Sequence, residues 1–364
     1  MRVGKDHYRS IWMERDSGVV RVIDQRKLPY ELKVEEIVSA EDAARAISDM
    51  VIRGAPLIGV TAAYGLYLAG LRSDPQKWCD QVREAAGMLV STRPTAINLK
   101  YAIDLAMTEL DCAGSREGMI DRLFHFAAQL TEQEVHRCRR IGEHGLPLIR
   151  ELYKKKKDTV HVLTHCNAGW LACVDYGTAT APIYLAHDEG IPVHVWVDET
   201  RPRNQGSRLT AWELGQHGVP YTIVVDNAGG QLMQQGRVDL VLVGSDRTTR
   251  SGDVANKIGT YLKALAARDN NIPFYVALPS SSIDFTMRDG SEIPIEHRAD
   301  SEVSHITGLN EDLNKEQMIR LIPESSEVFN PGFDITPARL VTGLITEKGI
   351  SPATEKGISG MFNT

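Results

Sequence analysis

The chain has 364 residues, of which 42% are hydrophobic and 24% charged, with a formal net charge of -7. That length holds one large domain or two with a full core. The acidic balance leaves no broad basic field for sequence-independent nucleic-acid binding, although a few local Arg or Lys residues suffice for a small anion. Five cysteines without a C-x-x-C pair, an N-terminus without an apolar core and no apolar run near bilayer length predict a cytoplasmic protein off the membrane, without a disulfide framework or zinc site.

Residues 19–25, V-V-R-V-I-D-Q, predict a strand closed by Arg26-Lys27-Leu28-Pro29. Alternating apolar and charged residues over 39–51 predict an amphipathic helix. It stops at Arg53-Gly54-Ala55-Pro56, where Gly permits a left-handed turn and Pro suits a new helix start. Residues 57–71 are apolar almost all round and rich in Gly and Ala, which predicts a buried, closely packed helix. Its bare first-turn N–H groups beside Arg53 form a candidate anion site, a weak signal by itself.

Residues 91–98, S-T-R-P-T-A-I-N, mark another helix entry, with Arg93 held out of the helical region by the proline after it. Residues 121–153 predict one or two helices, and the four lysines at 154–157 read as a solvated linker. The expected boundary therefore divides a smaller, mainly helical N-terminal α+β domain, 1–150, from a second domain, 151–364.

Beyond it, strand-like runs recur at 160–164, 192–198, 221–226, 239–244 and 273–278, separated by helical stretches such as 209–216 and 254–267. Such alternation predicts an α/β fold with a doubly wound, mostly parallel, Rossmann-like sheet. The strand ends carry His165-Cys166-Asn167, Asp198-Glu199-Thr200-Arg201, Asp226-Asn227 and Ser245-Asp246-Arg247. Ligands bind at that edge of an open sheet. After Cys166, N-A-G followed by an apolar pattern predicts a helix start, whose dipole favours a thiolate. Neither G-x-G-x-x-G after the first of these strands nor G-x-x-x-x-G-K-[ST] is present, and no H-E-x-x-H or close acid cluster suggests a metal. His161 and His165 read as core residues or as supports behind the site.

Seven motifs then carry a resemblance: R-G-A-P at 53–56, T-R-P-T-A-I-N-L at 92–99, I-G-E-H-G at 141–145, T-H-C-N-A-G at 164–169, D-E-T-R-P-R-N-Q-G-S-R-L-T-A-W-E-L at 198–214, G-D-V-A-N-K-I-G-T at 252–260 and N-P-G-F-D-I-T-P at 330–337. In this order, over nearly the whole chain, they resemble the methylthioribose-1-phosphate isomerase family. The resemblance implies conversion of 5-methylthioribose 1-phosphate to 5-methylthioribulose 1-phosphate in methionine salvage, by a homodimer without metal or organic cofactor. At matching positions it implies Cys166 and Asp246 as the catalytic pair, and Arg53, Gly54, Ala55, Arg93, Gln205, Asn256 and Lys257 as ligands of the sugar phosphate.

These residue types suit the reaction. A 1-phosphorylated aldose has no free anomeric hydroxyl, so its ring must be opened with the phosphate kept, and hydrogen then moves from C2 to C1. An acid–base group tuned toward neutrality is needed, and burial at a strand end can raise Asp246 in that direction. Cys166 can take the C2 proton as thiolate or stabilise charge during a hydride shift. Arg53, Arg93 and Lys257 can hold the phosphate. Lys257 and Asn256 are predicted in a helix's first turns, where a lysine gains nothing from the dipole.

The chain departs from the family pattern at Trp170, where small residues are usual, at Thr248 and Ser251 after the expected catalytic Asp246, where an apolar residue and an Asn are usual, and at Tyr101. These departures put the sugar's 5-substituent in question and raise 5-deoxyribose 1-phosphate as a further substrate. Ribose 1,5-bisphosphate isomerases share the fold but need cations at the 5-end, for which Arg250 is the new candidate. Regulatory subunits of the translation initiation factor's nucleotide-exchange complex share the architecture without catalysis; retention of both Cys166 and Asp246 argues against them.

Overall fold

The computed structural model describes residues 1–14, 17–93, 97–110 and 112–362. After a two-stranded hairpin, Arg2–Val3 with Asp6–His7, three short antiparallel strands follow, Ile11–Met13, Val20–Ile23 and Val34–Ile37. Helix α1 (Ala40–Ser48) begins where the Ser39 side chain accepts from the Asp42 N–H at 3.1 Å, a side-chain cap that satisfies one orphan donor. Helix α2 (Ala55–Arg72) is buried on almost every side, as its all-apolar sequence requires, with α3 (Trp78–Ser91), α4 (Ile97–Thr108) and α5 (Arg116–Lys156) packed around it. Pro94, Thr95 and Ala96, within the expected helix entry, lie outside the described residues.

Helix α5 is one continuous element of 41 residues, resolving the expectation of one or two, and it passes through residues 150 and 151. Near its start, Ile120 and Leu123 lie against Gly70 of α2; further on, Gly142 and Gly145 lie against Ala181 and Pro182 at the start of α6 (Ala181–Asp188).

The main sheet has seven strands in the order Gly349–Ser351, Gly343–Thr346, Phe274–Ala277, Leu240–Val243, Val160–Thr164, Val193–Asp198 and Tyr221–Val224. All neighbours are parallel except the first pair. Leu240–Val243 is buried throughout, the continuous apolar run that a sheet covered on both faces requires. Five of the seven strands are those the sequence predicts. The chain winds from Val160–Thr164 outward through two strands, then returns to place Leu240–Val243 on the other side. The topological switch point therefore lies between these two strands, and a crevice opens beyond their carboxyl ends.

Three local expectations are corrected. The residues after Cys166 form a single 3-10 turn, Trp170–Ala172, and an irregular path to α6, so the helix expected to start directly after the thiol is not there. Residues 254–267 are predicted as one helical stretch. They divide instead into a strand, Val254–Lys257, and a later helix after α7 (Ala211–His217) and α8 (Ala228–Gln234), α9 (Thr260–Asp269). The strand joins a second, four-stranded sheet with Ile283–Asp284, Arg247–Thr249 and Phe333–Thr336. Cys79 and Cys112 form a disulfide with Cα atoms 5.7 Å apart; cysteine count and spacing give no sign of this pairing. Among the described residues no helix is long and apolar enough to cross a membrane.

Candidate active site

All nine expected site residues line one cleft. Two of them follow the strands that flank the switch point. Cys166 lies just beyond Val160–Thr164, and Asp246 lies between Leu240–Val243 and the Arg247–Thr249 strand. Arg53, Gly54 and Ala55 enter from the start of α2, Asn256 and Lys257 from the end of a small-sheet strand, and Gln205 from the turn after Asp198.

The backbone is shaped around this cleft. Gly54, at φ 104°, precedes α2 with no side-chain cap, and a Cβ there would sit 2.3 Å from the Ala172 carbonyl oxygen. Only glycine fits, and the uncapped first turn of an 18-residue helix offers N–H groups to an anion. Cys166 occupies the left-handed region at φ 64°, a conformation that costs a non-glycine residue roughly 1–2 kcal/mol. The Cys166 N–H donating to Thr200 Oγ1 at 2.8 Å, and the Thr210 hydroxyl donating to the Cys166 carbonyl at 2.7 Å, hold it there.

The cations are held by different means. Arg53 donates through Nη1 to Asn167 Oδ1 at 2.5 Å and through Nη2 to the Asn167 carbonyl at 2.6 Å. Arg93 pairs with Glu296 at 3.1 Å, while its buried Nε and the buried Oε1 of Gln205 have no hydrogen-bond partner among the described residues. Lys257 is buried with its Nζ 4.8 Å from the centre of the Phe333 ring. Buried polar atoms left unpaired are expensive, so those of Arg93 and Gln205 mark positions for a ligand.

Burial dominates the titration of the reacting groups. It pushes the Asp246 carboxyl up, against the opposing pull of Lys257, Arg93 and Arg53. It pushes the Cys166 thiol up as well, with Arg53 and Lys257 opposing and Asp246 adding to the rise. It pushes Lys257 down, with Cys166 and Asp246 opposing. Burial therefore favours the thiol form of Cys166 over the thiolate expected from a helix dipole.

His165 lines the cleft behind Cys166, with Nδ1 2.9 Å from Asp198 Oδ2 and Nε2 2.8 Å from the Ile258 carbonyl. The Lys263 ammonium lies 3.2 Å from the same Asp198 oxygen. This network ties together the loops that carry Cys166 and Lys257, the supporting role expected of His165. His161 is instead half-buried, stacked on Trp196.

Sequence reasoning placed Asn167 at the polar strand end without giving it a role, and it missed Met50 and Phe333 as cleft residues. The departures at Trp170 and Ser251, and the candidate cation Arg250, stand clear of the cleft. Trp170 is fully buried against Trp212, and Arg250 faces Glu355 at 3.6 Å. Thr248 is packed within the small sheet against the Ser245 hydroxyl.

Comparison with known proteins gives concordant results. Residues 51–353 match the model of the Initiation factor 2 subunit family. Methylthioribose-1-phosphate isomerase of Desulfatibacillum aliphaticivorans is 54% identical over 100% of this chain and 99% of its own. That of Sinorhizobium medicae is 56% identical over the same shares. Among solved structures, 5-methylthioribose 1-phosphate isomerase from Pyrococcus horikoshii superposes with a TM-score of 0.84 at 36% identity, covering 98% of this chain and 96% of the other. The delta subunit of translation initiation factor eIF-2B from A. fulgidus reaches 0.81 at 37% identity, covering 98% and 100%.

Proposed function

Because the chain belongs to the Initiation factor 2 subunit family, and within it to the methylthioribose-1-phosphate isomerases, we propose that it converts 5-methylthioribose 1-phosphate to 5-methylthioribulose 1-phosphate. The observation that carries this reading is the division of the cleft into an anion-binding end and an apolar recess, with Asp246 in both. Arg53, Arg93, Lys257 and the start of α2 suit a phosphate dianion. The recess shares Ala55, Arg93, Asp246 and Phe333 with the cleft and is otherwise walled by Ile58, Arg247, Ala255, Ile293, Pro294 and Ile295.

An apolar 5-substituent fits such a wall better than a 5-phosphate. Of the two cations in the recess wall, Arg93 pairs with Glu296 at 3.1 Å and Arg247 lies 3.8 Å from Asp284, while Arg250 is drawn to Glu355. This favours methylthio and deoxy sugars over ribose 1,5-bisphosphate, and 5-deoxyribose 1-phosphate is the natural second substrate.

The proton movements close on one residue. Protonated Asp246 gives its proton to the ring oxygen, the C1–O bond of the ring breaks, and an oxocarbenium centre forms at C1 with the phosphate still attached. The resulting carboxylate then takes the proton from the C2 hydroxyl while hydride passes from C2 to C1. The product is the 2-ketose, and Asp246 is protonated again. Excluding water protects the cationic centre from hydrolysis, and the largely buried lining of the cleft serves that need. The neutral Cys166 thiol favours this route over removal of the C2 proton by a thiolate.

The test is kcat/KM for 5-methylthioribose 1-phosphate and 5-deoxyribose 1-phosphate, measured side by side by ketose formation. The methylthio sugar is expected to lead by about tenfold or more, the scale on which an apolar pocket discriminates. Equal or reversed values would make this a broader 5-deoxypentose enzyme. Turnover of neither would favour a regulatory binding subunit like those whose fold it shares.

The homodimer belongs to the same proposal. The Tyr221–Val224 strand lies at an edge of the main sheet, and Tyr221, Ile223 and Val225 are exposed along it. An open apolar edge invites pairing with a second copy. Light scattering on the eluting protein should give twice the mass of the chain, and Ile223→Lys should shift it toward the monomer. A monomeric wild type would remove this assignment.

A further inference from the structure

Behind the anion-binding end lies a carboxyl that the mechanism above leaves unused. Glu213, on α7, is completely buried. Its Oε1 accepts from Asn167 Nδ2 at 3.0 Å and from the Leu171 N–H at 2.8 Å, and its Oε2 accepts from the Tyr184 hydroxyl at 3.1 Å. The fit is close: a Cβ on Gly169 would fall 1.6 Å from Oε2. Burial pushes this carboxyl up to about 7, with the donors from Asn167, Leu171 and Tyr184, and then the Arg53 charge, opposing the rise.

An amide can present either its oxygen or its nitrogen to a neighbour. Asn167 faces Arg53 on one side, which needs an acceptor, and Glu213 on the other. The Leu171 N–H requires that Glu213 Oε1 remain an acceptor, and Oε1 in turn fixes the Asn167 NH₂ toward Glu213. The Asn167 Oδ1 is thereby aimed at Arg53 Nη1. The Thr210 hydroxyl, which binds the Cys166 carbonyl, also accepts from Asn167 Nδ2 at 3.1 Å.

We propose that Glu213 is a positioning residue for phosphate binding: it locks the orientation of the Asn167 amide, which fixes the Arg53 guanidinium at the anion-binding end of the cleft. A protonated carboxyl keeps the same geometry, because its proton can sit on Oε2 and point to the Tyr184 oxygen. The device is therefore steric and directional, and it does not depend on the charge of Glu213. It rests on the reading of Arg53 as a phosphate ligand.

The experiment is titration of the full-length protein with inorganic phosphate, followed by phosphorus NMR, a readout independent of turnover. Arg53→Ala comes first and must weaken phosphate; if it does not, the assignment of Arg53 fails before Glu213 is tested. Glu213→Leu should then weaken phosphate by about tenfold, the scale of one buried partner lost. In the Arg53→Ala background the same substitution should add almost nothing. Glu213→Gln keeps an acceptor toward Leu171 and Asn167 and is expected to bind within about threefold of wild type, a rescue set by hydrogen-bond direction. Should Glu213→Leu not fold, Glu213→Asp, which withdraws the carboxyl by one methylene, carries the same expectation as the Leu variant. The proposal is overturned if the Leu or Asp variant binds phosphate like wild type, if its effect persists undiminished without Arg53, or if the Gln variant loses as much as the Leu variant.

Discussion

Asp246→Asn is expected to lower kcat by about 10⁴-fold, the upper end for a positioned acid–base group, because Asp246 serves in two proton transfers. The amide keeps the shape of the protonated acid but can neither give its proton to the ring oxygen nor accept one from the C2 hydroxyl. Arg53, Arg93 and Lys257 are untouched, so substrate binding by calorimetry should stay within a few-fold of wild type. The wild-type pH profile carries a second signature. Burial raises the Asp246 carboxyl, and the acid form enters the reaction, so kcat/KM should fall as pH rises through that raised value.

The substitution should act on stability in the opposite sense to its effect on activity. A carboxyl whose folded pKa lies above its unfolded value contributes stability fully below the unfolded value and loses it as pH rises through the folded one. Asn, neutral throughout, should thus melt above wild type at about pH 8, with the gap closing toward about pH 4. Such a gain accompanying lost activity is common where a site keeps a strained or desolvated group for function. An Asn variant with substantial turnover would remove the acid–base assignment.

What the sequence made legible follows from which features are local. The apolar runs that became Val160–Thr164 and Leu240–Val243 announce buried parallel strands by composition alone, and their polar ends announce the reactive edge. The Arg247–Thr249 and Val254–Lys257 strands are three and four residues long. Segments so short carry no period, and Val254–Lys257 was absorbed into the helix that follows it. The path after Cys166 read as a helix start because N-A-G resembles a cap followed by apolar residues. In the fold, Gly169 is pressed against Glu213, and the chain turns instead around Trp170.

Glu213 lies inside the 198–214 motif, yet nothing there gives it a role: a glutamate on a seven-residue helix reads as a solvated residue until the fold buries it. Trp170 stood out as a departure that put the sugar's 5-substituent in question. Its burial against Trp212 makes it a core side chain behind the cleft. The recess beside Asp246 draws Ile293, Pro294 and Ile295 from a segment with no regular pattern, so its apolar character depends on tertiary placement.

Cys166→Ser is expected to lower kcat by about 10³-fold, within the range for a group acting at the reacting centre. The backbone gives little reason for the loss, since serine can adopt the same left-handed conformation with the same Thr200 and Thr210 partners. The difference lies in the atom. Sulfur is larger and more polarisable than oxygen, which suits contact with a centre that becomes cationic at C1 and carries migrating hydride. Measuring kcat alone would leave two routes open, because a thiolate base would also be lost with the sulfur.

Turnover of the wild type in deuterated water separates them. A hydride carried directly from C2 to C1 brings no solvent deuterium to C1. A proton removed from C2 and returned through a thiol exchanges with solvent and leaves deuterium there. Burial holds the Cys166 thiol above its ordinary value, and a bound phosphate dianion would offset the Arg53 and Lys257 charges that oppose the rise. The ketose formed should therefore carry no deuterium at C1. Deuterium at C1 would assign the C2 proton to Cys166 and limit Asp246 to opening the ring, while near-normal turnover by the serine variant would make Cys166 structural under either route.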